Sequence, residues 1–398
     1  MEDTIFENEV AFVLIVKNES PYINEWLEYH YRIGVDKFYI YNNDSEDRAE
    51  LLEVLNPWIQ SGIVEFEDAP GVFKQMPVYS DAITKHRFDC RWMGFTDTDE
   101  FIYIKTGQTL PEFLHEHFAM NDWIAGLGIN WRMFGTSGRK KYEPINVIER
   151  FTRRASNGYP ENLHIKSIVN PRRVLTFNNA HSATYFPTSA CYDEAGRLIS
   201  FYQNGSNSTD KIQINHYYTK SLEEYMEKCS RGRADFWGGM NSQVVTDPKL
   251  DEVEDVGLKN LWHQLKSQPI NLKKFHSDPL DNVRKMLASD FTIESLMTCL
   301  NLIKHSNSLN ENEKRSIEDF LLESLIKLIN DKEIQPWDLT LILSESPGIL
   351  KSRSNLSIEL VRKCFLAIPT LILICESETR RECRFFLRYV QRMLEVIL

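Results

Sequence analysis

Val10-Ala11-Phe12-Val13-Leu14-Ile15-Val16 is a short unbroken apolar run rich in β-branched residues. That is the pattern of a strand covered on both faces, and it reads as a central parallel strand. Lys17-Asn18-Glu19-Ser20-Pro21 breaks the run, and Tyr22 to Ile33 then sets Ile23, Trp26, Leu27, His30 and Tyr31 at helical spacing, with Gly34 ending the helix. A second strand, Lys37-Phe38-Tyr39-Ile40-Tyr41, runs into the polar turn Asn42-Asn43-Asp44-Ser45 and a helix over residues 47–56. Ile63-Val64-Glu65-Phe66 reads as a third strand and Tyr79 to Cys90 as a helix, and Trp92-Met93-Gly94-Phe95-Thr96 makes a strand that stops at Asp97. Strands alternating with helices predict an α/β fold with a parallel sheet and right-handed crossovers, whose ligands lie beyond the carboxyl ends of the strands. Lys17-Asn18-Glu19, Asn42-Asn43-Asp44-Ser45 and Asp97-Thr98-Asp99-Glu100 each follow a strand directly, so three polar loops are expected to converge.

From Ile124 to Tyr217 the pieces shorten, as in Ile165 to Val169, Val174 to Phe177 and Lys211 to His216, and the sheet is expected to gain antiparallel or mixed strands. After the acidic segment Asp247 to Asp255 the strand signals fade. The division that follows is an α/β domain over 1–248, a linker and connecting helix over 249–279, and an all-α domain over 280–398. A chain of 398 residues is too long for one ordinary core. Hydrophobic residues at 42% and charged residues at 26% fit a soluble globular protein.

The balance of 46 Lys+Arg against 57 Asp+Glu, a net charge of −11, argues against general nucleic-acid binding. Seven scattered cysteines without a CxxC pair read as free thiols in a reducing compartment. The acidic start, Met1 to Glu9, lacks a secretory signal, and Cys364 to Cys375 contains Pro369 and is too short to cross a bilayer. A cytoplasmic protein is expected. Its C-terminal helix, with Arg380, Arg381, Arg384, Arg388 and Arg392 among Phe385, Phe386, Leu387 and Tyr389, could touch the inner face of an anionic membrane peripherally. Packing against its own domain or a second copy in a homo-oligomer is the competing reading.

Asp97-Thr98-Asp99, taken as an extended strand end, puts two carboxylates on one side because side chains alternate with period two. Carboxylates suit hard divalent cations that also take phosphate oxygens. The alternative for a lone DxD is a solvated acidic turn. His216 closes the candidate strand Ile212 to Asn215 and could complete the coordination, an Asp/His set leaning to Mn²⁺ over Mg²⁺. A partly buried, satisfied histidine is the other reading, and His181 is a weaker candidate of the same kind. Asp44 resembles a carboxylate aimed at a nucleoside, or else an Asx-turn or helix cap. Arg231-Gly232-Arg233-Ala234-Asp235 offers two guanidiniums suited to diphosphate oxygens, and Asp235 could act as base toward an acceptor hydroxyl. A helix-terminal basic cluster is the alternative for the arginines. Trp131, among the glycines from Gly126 to Gly138, suits stacking on a sugar ring or plain burial.

In order and spacing these motifs resemble glycosyltransferase family 92 and its bacterial relatives, close to family 2 with the GT-A fold. The marks are Lys17-Asn18-Glu19, Glu25-Trp26-Leu27, Gly34-Val35-Asp36, Asp97-Thr98-Asp99-Glu100-Phe101, Trp131 to Gly135, Lys166-Ser167-Ile168-Val169 and His216 to Ser221, ending in Arg231-Gly232-Arg233. The resemblance covers about residues 10–240 and reads without the membrane anchor of the animal members. It implies a GT-A domain in which Asp97, Asp99 and His216 hold Mn²⁺ (or Mg²⁺) against the diphosphate of a nucleotide-sugar donor. Asn18, Glu19, Asp44 and Asp97 would line the donor pocket, with Asp81, in the helix before the DxD strand, beside them. The implied reaction is transfer of a sugar, with inversion, to a glycan or lipid-linked acceptor. A nucleotidyltransferase would use the same acids but needs a Gly-rich phosphate loop, and Lys17 to Pro21 contains no glycine. A non-catalytic scaffold finds support only in the helical half.

Overall fold

The computed structural model describes residues 6, 8–121, 123–186, 189–231, 244–270, 272, 292–305, 311–331 and 342. In chain order the elements are β1 (Asn8–Val16), α1 (Ile23–Arg32), β2 (Lys37–Asn42), α2 (Arg48–Gln60), β3 (Val64–Asp68), α3 (Gln75–His86), β4 (Cys90–Phe95), β5 (Glu100–Ile104), α4 (Leu110–Ala119), β6 (Ile124–Met133) and α5 (Val147–Arg150). There follow β7 (Arg153–Arg154), β8 (Ile165–Val169), β9 (Val174–Phe177), β10 (Ala183–Tyr185), β11 (Ala190–Tyr192), β12 (Leu198–Ile199), β13 (Ile212–His216), α6 (Leu222–Arg231), β14 (Val253–Glu254) and α7 (Gly257–Lys266). Two further helices, Ile293–His305 and Glu311–Asp331, are described in the helical half. The arginine-rich segment 380–392 lies outside the described residues.

The large sheet runs β12-β11-β6-β8-β4-β1-β2-β3, with β13 joining β6 to β5. Strands β3, β2, β1 and β4 are mutually parallel, and β8 lies antiparallel between β4 and β6. The fold is therefore a mixed α/β sheet flanked by helices, as the alternating pattern predicts. The unbroken run in β1 has a direct cause. Val10, Phe12, Leu14 and Val16 enter one core with Trp26 and Leu27 of α1 and Leu51 and Leu55 of α2, while Ala11 and Val13 enter the other with Val78, Tyr79 and Ala82 of α3. Both faces are covered, so neither can be polar.

Chain order reverses at β1, which has β2 on one side and β4 on the other. A crevice outside the carboxyl ends of β1 and β4 is where such sheets take ligands. Gly94 leaves room for the ring of Phe12, its register partner on β1: a Cβ there would drive into that ring. Gly94→Ala is expected to cost about 1–3 kcal/mol through overpacking, measured as a shift in the urea unfolding midpoint.

Residues 253–266 stay bound to the α/β layers. β14 pairs antiparallel with β7, and Trp262 of α7 is fully buried against Tyr29 of α1. This part of the segment read as a linker is thus integral to the domain's packing. Among the described residues no helix is long and apolar enough to cross a membrane. None of the described cysteines Cys90, Cys191, Cys229 and Cys299 forms a disulfide.

Glu25 shows how α1 is tied to α5. Its carboxylate accepts the N–H groups of Val147 (2.7 Å) and Ile148 (3.0 Å), capping α5 from another element. Burial outweighs these donors and pushes its acidity up to about 7 from an ordinary 4.5. A raised folded value means that its stabilisation is complete below pH 4.5 and is lost as pH rises through about 7. The loss is on the order of 3 kcal/mol. Urea midpoints at several pH values across that window should fall with pH in the wild type and more shallowly in Glu25→Gln. Equal slopes in the two proteins would rule out this role for Glu25.

Candidate active site

Strand β4 ends at Phe95, and Asp97 to Glu100 form a turn closed by Glu100 N–H donating to the Asp97 carbonyl (3.0 Å). The Glu100 carboxylate reaches back to accept the Asp97 N–H (3.0 Å). The DxD is therefore a turn and not an extended strand end, and the period-two argument for one shared face does not hold. Each acid has its own lysine instead. Asp97 Oδ2 accepts from Lys166 Nζ at 2.8 Å, and Gln75 Nε2 lies 3.4 Å from its Oδ1. Asp99 Oδ2 accepts from Lys228 Nζ at 2.5 Å, while its Oδ1 lies 3.5 Å from His216 Nε2.

His216 arrives through strand register. β13 runs antiparallel to β5 with His216 opposite Glu100, and Tyr217 N–H donates to the Asp99 carbonyl (2.8 Å). A residue more than a hundred positions distant is so fixed beside the acid turn. Burial lowers the proton affinity of the imidazole below the usual histidine value, with Asp99 opposing, and this favours a neutral ring. Its Nδ1 is buried without a hydrogen-bond partner, and its ring packs on Trp131 at 4.3 Å. Burial would raise the Asp99 carboxyl, but Lys228 and His216 hold it well below the ordinary range. An N/O pair of this kind, a charged carboxylate and a neutral imidazole, fits the donor set of a divalent transition ion.

Beneath the turn lie Glu100, fully buried, and Lys166. Burial pushes the Glu100 carboxyl well above its usual value, with Lys166 Nζ at 3.5 Å opposing. Burial disfavours the Lys166 charge as well, yet Asp97 and Glu100 hold its ammonium protonated.

At the exit of β1, Asn18 takes a left-handed backbone (φ 55°), its N–H donating to Ser45 Oγ (3.0 Å) and its Oδ1 accepting from Glu46 N–H (2.8 Å). Asp44 is also left-handed (φ 53°) and accepts Gly71 N–H at 2.7 Å, so it clamps the loop after β3. Glu19 is buried with Lys220 Nζ at 3.8 Å, and that ammonium lies 3.5 Å over the Tyr22 ring. Asp81 does not join this group. It pairs with Lys85 (2.8 Å) and takes a weak bond from Tyr41 (3.5 Å), whereas Gln75 and Tyr79 are the α3 side chains at the acid turn. Asp81 stands on another flank of α3 from Tyr79, because a displacement of two residues along a helix turns a side chain away.

His181 packs with His164, Tyr202 and Trp131 in an aromatic group that adjoins His216 through Trp131. Arg231 closes α6, and Arg233 and Asp235 lie outside the described residues. Lys166, Lys228 and Gln75 were not read as site residues. Lys166 did carry a signal: it is the one charged side chain in the apolar strand Ile165–Val169, and a buried lysine must meet an acid. Lys228 carried none.

A sequence model of glycosyltransferase family 92 matches residues 14–239. A family 92 protein of Oryza sativa subsp. japonica is 35% identical over 264 residues, 64% of this chain and 44% of its own length. A family 92 protein of Arabidopsis thaliana is 25% identical over 272 residues, 64% of this chain and 46% of its own. An Arabidopsis galactan beta-1,4-galactosyltransferase is 25% identical over 224 residues, covering 50% of this chain and 40% of its own. The chain spans about half the length of the curated relatives it matches. These relatives are plant proteins, which lends no support to a bacterial affinity. Among solved structures, S. aureus TarS 1-349 in complex with UDP is similar with 12% identity and a TM-score of 0.30, covering 85% of this chain and 80% of that one.

Proposed function

Because this chain belongs to glycosyltransferase family 92, we propose that it moves a sugar from a nucleotide diphosphate donor to a hydroxyl of a glycan or lipid-linked acceptor. The observation that carries the reading is the Asp99 and His216 pair, 3.5 Å apart in the turn after β4, next to the strand β1 at which chain order reverses. Asp99 and His216 would hold Mn²⁺, or Mg²⁺, with Asp97 as third ligand. A bound ion of this kind supplies Lewis-acid stabilisation to a departing diphosphate.

The chain's own groups act around that centre. Lys228 keeps Asp99 ionised, and Lys166 and Lys228 place fixed positive charge at the turn, where negative charge on a leaving group is stabilised. Asn18, Glu19 and Asp44 would line the nucleoside end of the donor at the exits of β1 and β2. Arg231 and Arg233 would add guanidinium contacts to the diphosphate, and Asp235 would take the proton from the acceptor hydroxyl, with inversion at the anomeric carbon. The ring faces of His181, Tyr202 and His164 beside Trp131 suit an acceptor sugar.

The galactan galactosyltransferase among the relatives makes UDP-galactose and β-1,4-linked galactose oligomers the first donor and acceptor to try. Labelled UDP-sugars with Mn²⁺ test the reading: transfer or slow donor hydrolysis supports it, and pyrophosphate release from a nucleoside triphosphate and a sugar phosphate supports a nucleotidyltransferase instead. Absence of any turnover and of UDP binding would overturn it. In the same assay Asp235→Asn should lower transfer at least about 100-fold while leaving UDP affinity unchanged, and a smaller loss would remove Asp235 from the mechanism.

A further inference from the structure

The second face of the sheet carries another group of ligand-type side chains, away from the acid turn. Glu65 and Glu67 alternate along the edge strand β3, and their register partners are Tyr39 and Tyr41 of β2. The tyrosines lie on the face covered by α3, so the two glutamates share it. The last turn of α3 brings His86 over them. One ligand atom from each of Glu65, Glu67 and His86 lies within 4.8 Å of the others.

We propose that Glu65, Glu67 and His86 bind a divalent transition-metal ion, of which Zn²⁺ matches the donor set best. The imidazole is the deciding element. Its Nδ1 faces Asp89 Oδ2 at 2.8 Å, which fixes the ring, and the ring stacks on Tyr39 at 3.7 Å. Its Nε2 is buried without a hydrogen-bond partner, on a side chain only 9% exposed. Glu65 Oε1 lies 3.9 Å from it, too far for a hydrogen bond. A histidine whose far nitrogen bonds a carboxylate and whose near nitrogen points at two more acids has the orientation of a metal ligand with its supporting acid. Two oxygens, one imidazole nitrogen and a water make a four-coordinate zinc site. Ligands around 2.0–2.1 Å from such an ion stand roughly 3.4 Å apart, and the half-exposed Glu65 can close that gap by a rotamer change.

The charges nearby permit it. Lys37 lies 3.6 Å from Glu65, and Lys85 lies 2.8 Å from both Glu67 and Asp81. With Asp89, four acids face two lysines. Exposed ion pairs of this kind contribute little and are readily exchanged for a cation. The carbonyl end of α3 adds partial negative charge. Because α3 meets the acid turn at its first residue, Gln75, and this cluster at its last, His86, an ion here would pin the helix to the edge strand.

The test is zinc chloride titrated by calorimetry into the full chain, into a Glu65→Gln/Glu67→Gln variant and into Asp99→Asn. The expected result is two equivalents of Zn²⁺ bound by the wild type, one at this cluster and one at the acid turn, with the cluster's ion retained by Asp99→Asn and bound at least about tenfold more weakly in the double variant. The thermal unfolding midpoint should rise with Zn²⁺ in the wild type and in Asp99→Asn, and rise less in the double variant. The glutamates are exposed or half-buried, so the double variant is expected to fold. An isotherm of the double variant that superimposes on the wild type, or loss of all binding in Asp99→Asn, would overturn the proposal. Either result leaves glycosyl transfer untouched, since that reading rests on other residues.

Discussion

Asp99→Asn is expected to reduce Mn²⁺-dependent release of UDP from a UDP-sugar by about a thousandfold, the effect of removing one fixed electrostatic partner from a charge-stabilising site. The substitution removes charge and leaves shape. What Asp99 does for the fold runs through its carbonyl, which accepts Tyr217 N–H, and the turn closes through Asp97 and Glu100. The thermal unfolding midpoint should therefore move little, and Lys228, partly exposed, can hydrate its ammonium when the carboxylate is gone. The Asp99 carboxyl is held well below the ordinary range, so it is charged throughout the neutral region and its removal acts in full at any working pH. His216, lowered by burial, offers a neutral nitrogen over the same range. UDP release within tenfold of the wild type would remove the acid turn from the reaction.

How much of this could be read from the chain follows the range of the interactions. Val10 to Val16 announces a strand covered on both faces because burial of Phe12 and Val13 on opposite sides is written in their adjacency. The carboxyl-end loops follow from that strand order, and Asn18, Glu19, Asp97 and Asp99 fall in them. The conformation of Asp97 to Glu100 is not local in the same way. An Asp-x-Asp segment can form a strand end or a turn, and here the Glu100 carboxylate favours the turn by bonding the Asp97 N–H. His216 was legible as a strand end, and the resemblance set it beside Asp99, but the antiparallel pairing of β13 with β5 that brings it there is a tertiary fact. Lys228 reaches Asp99 across 129 positions from an exposed-looking helix, and no periodicity reports that. Asp81 differs from Gln75 in helical phase: both are on α3, yet Gln75 meets the acid turn and Asp81 pairs with Lys85.

The largest stability effect is expected at the ion pair beneath α6. Arg150 and Glu224 are joined by two bonds of 2.8 and 2.9 Å, with side chains 1% and 2% exposed. Tyr22 OH donates to one carboxylate oxygen and Ser221 N–H to the other, both at 3.0 Å. Arg150→Ala leaves a buried carboxylate without its counter-charge and should cost about 3–5 kcal/mol in urea unfolding. Replacing both partners, as Arg150→Met with Glu224→Gln, should cost clearly less than the sum of the single changes, since neither charge is then stranded.

The pH dependence supplies an independent sign. In the wild type, burial would raise the Glu224 carboxyl but the Arg150 and Ser221 contacts hold it below its ordinary 4.5, so its stabilisation is present above that value and is lost as pH falls through the depressed folded value. Without Arg150 the burial effect prevails and the carboxyl titrates above 4.5, so the variant recovers stability as pH falls toward that value. The gap between the two proteins should therefore narrow on acidification, and a constant gap would mean that lost packing, not stranded charge, explains the cost. The consequence reaches the active site. Glu224 and Lys228 lie one helical turn apart on α6, so the bond that fixes Glu224 also aims Lys228 at Asp99. Even below its unfolding temperature, Arg150→Ala should therefore raise the KM for the donor.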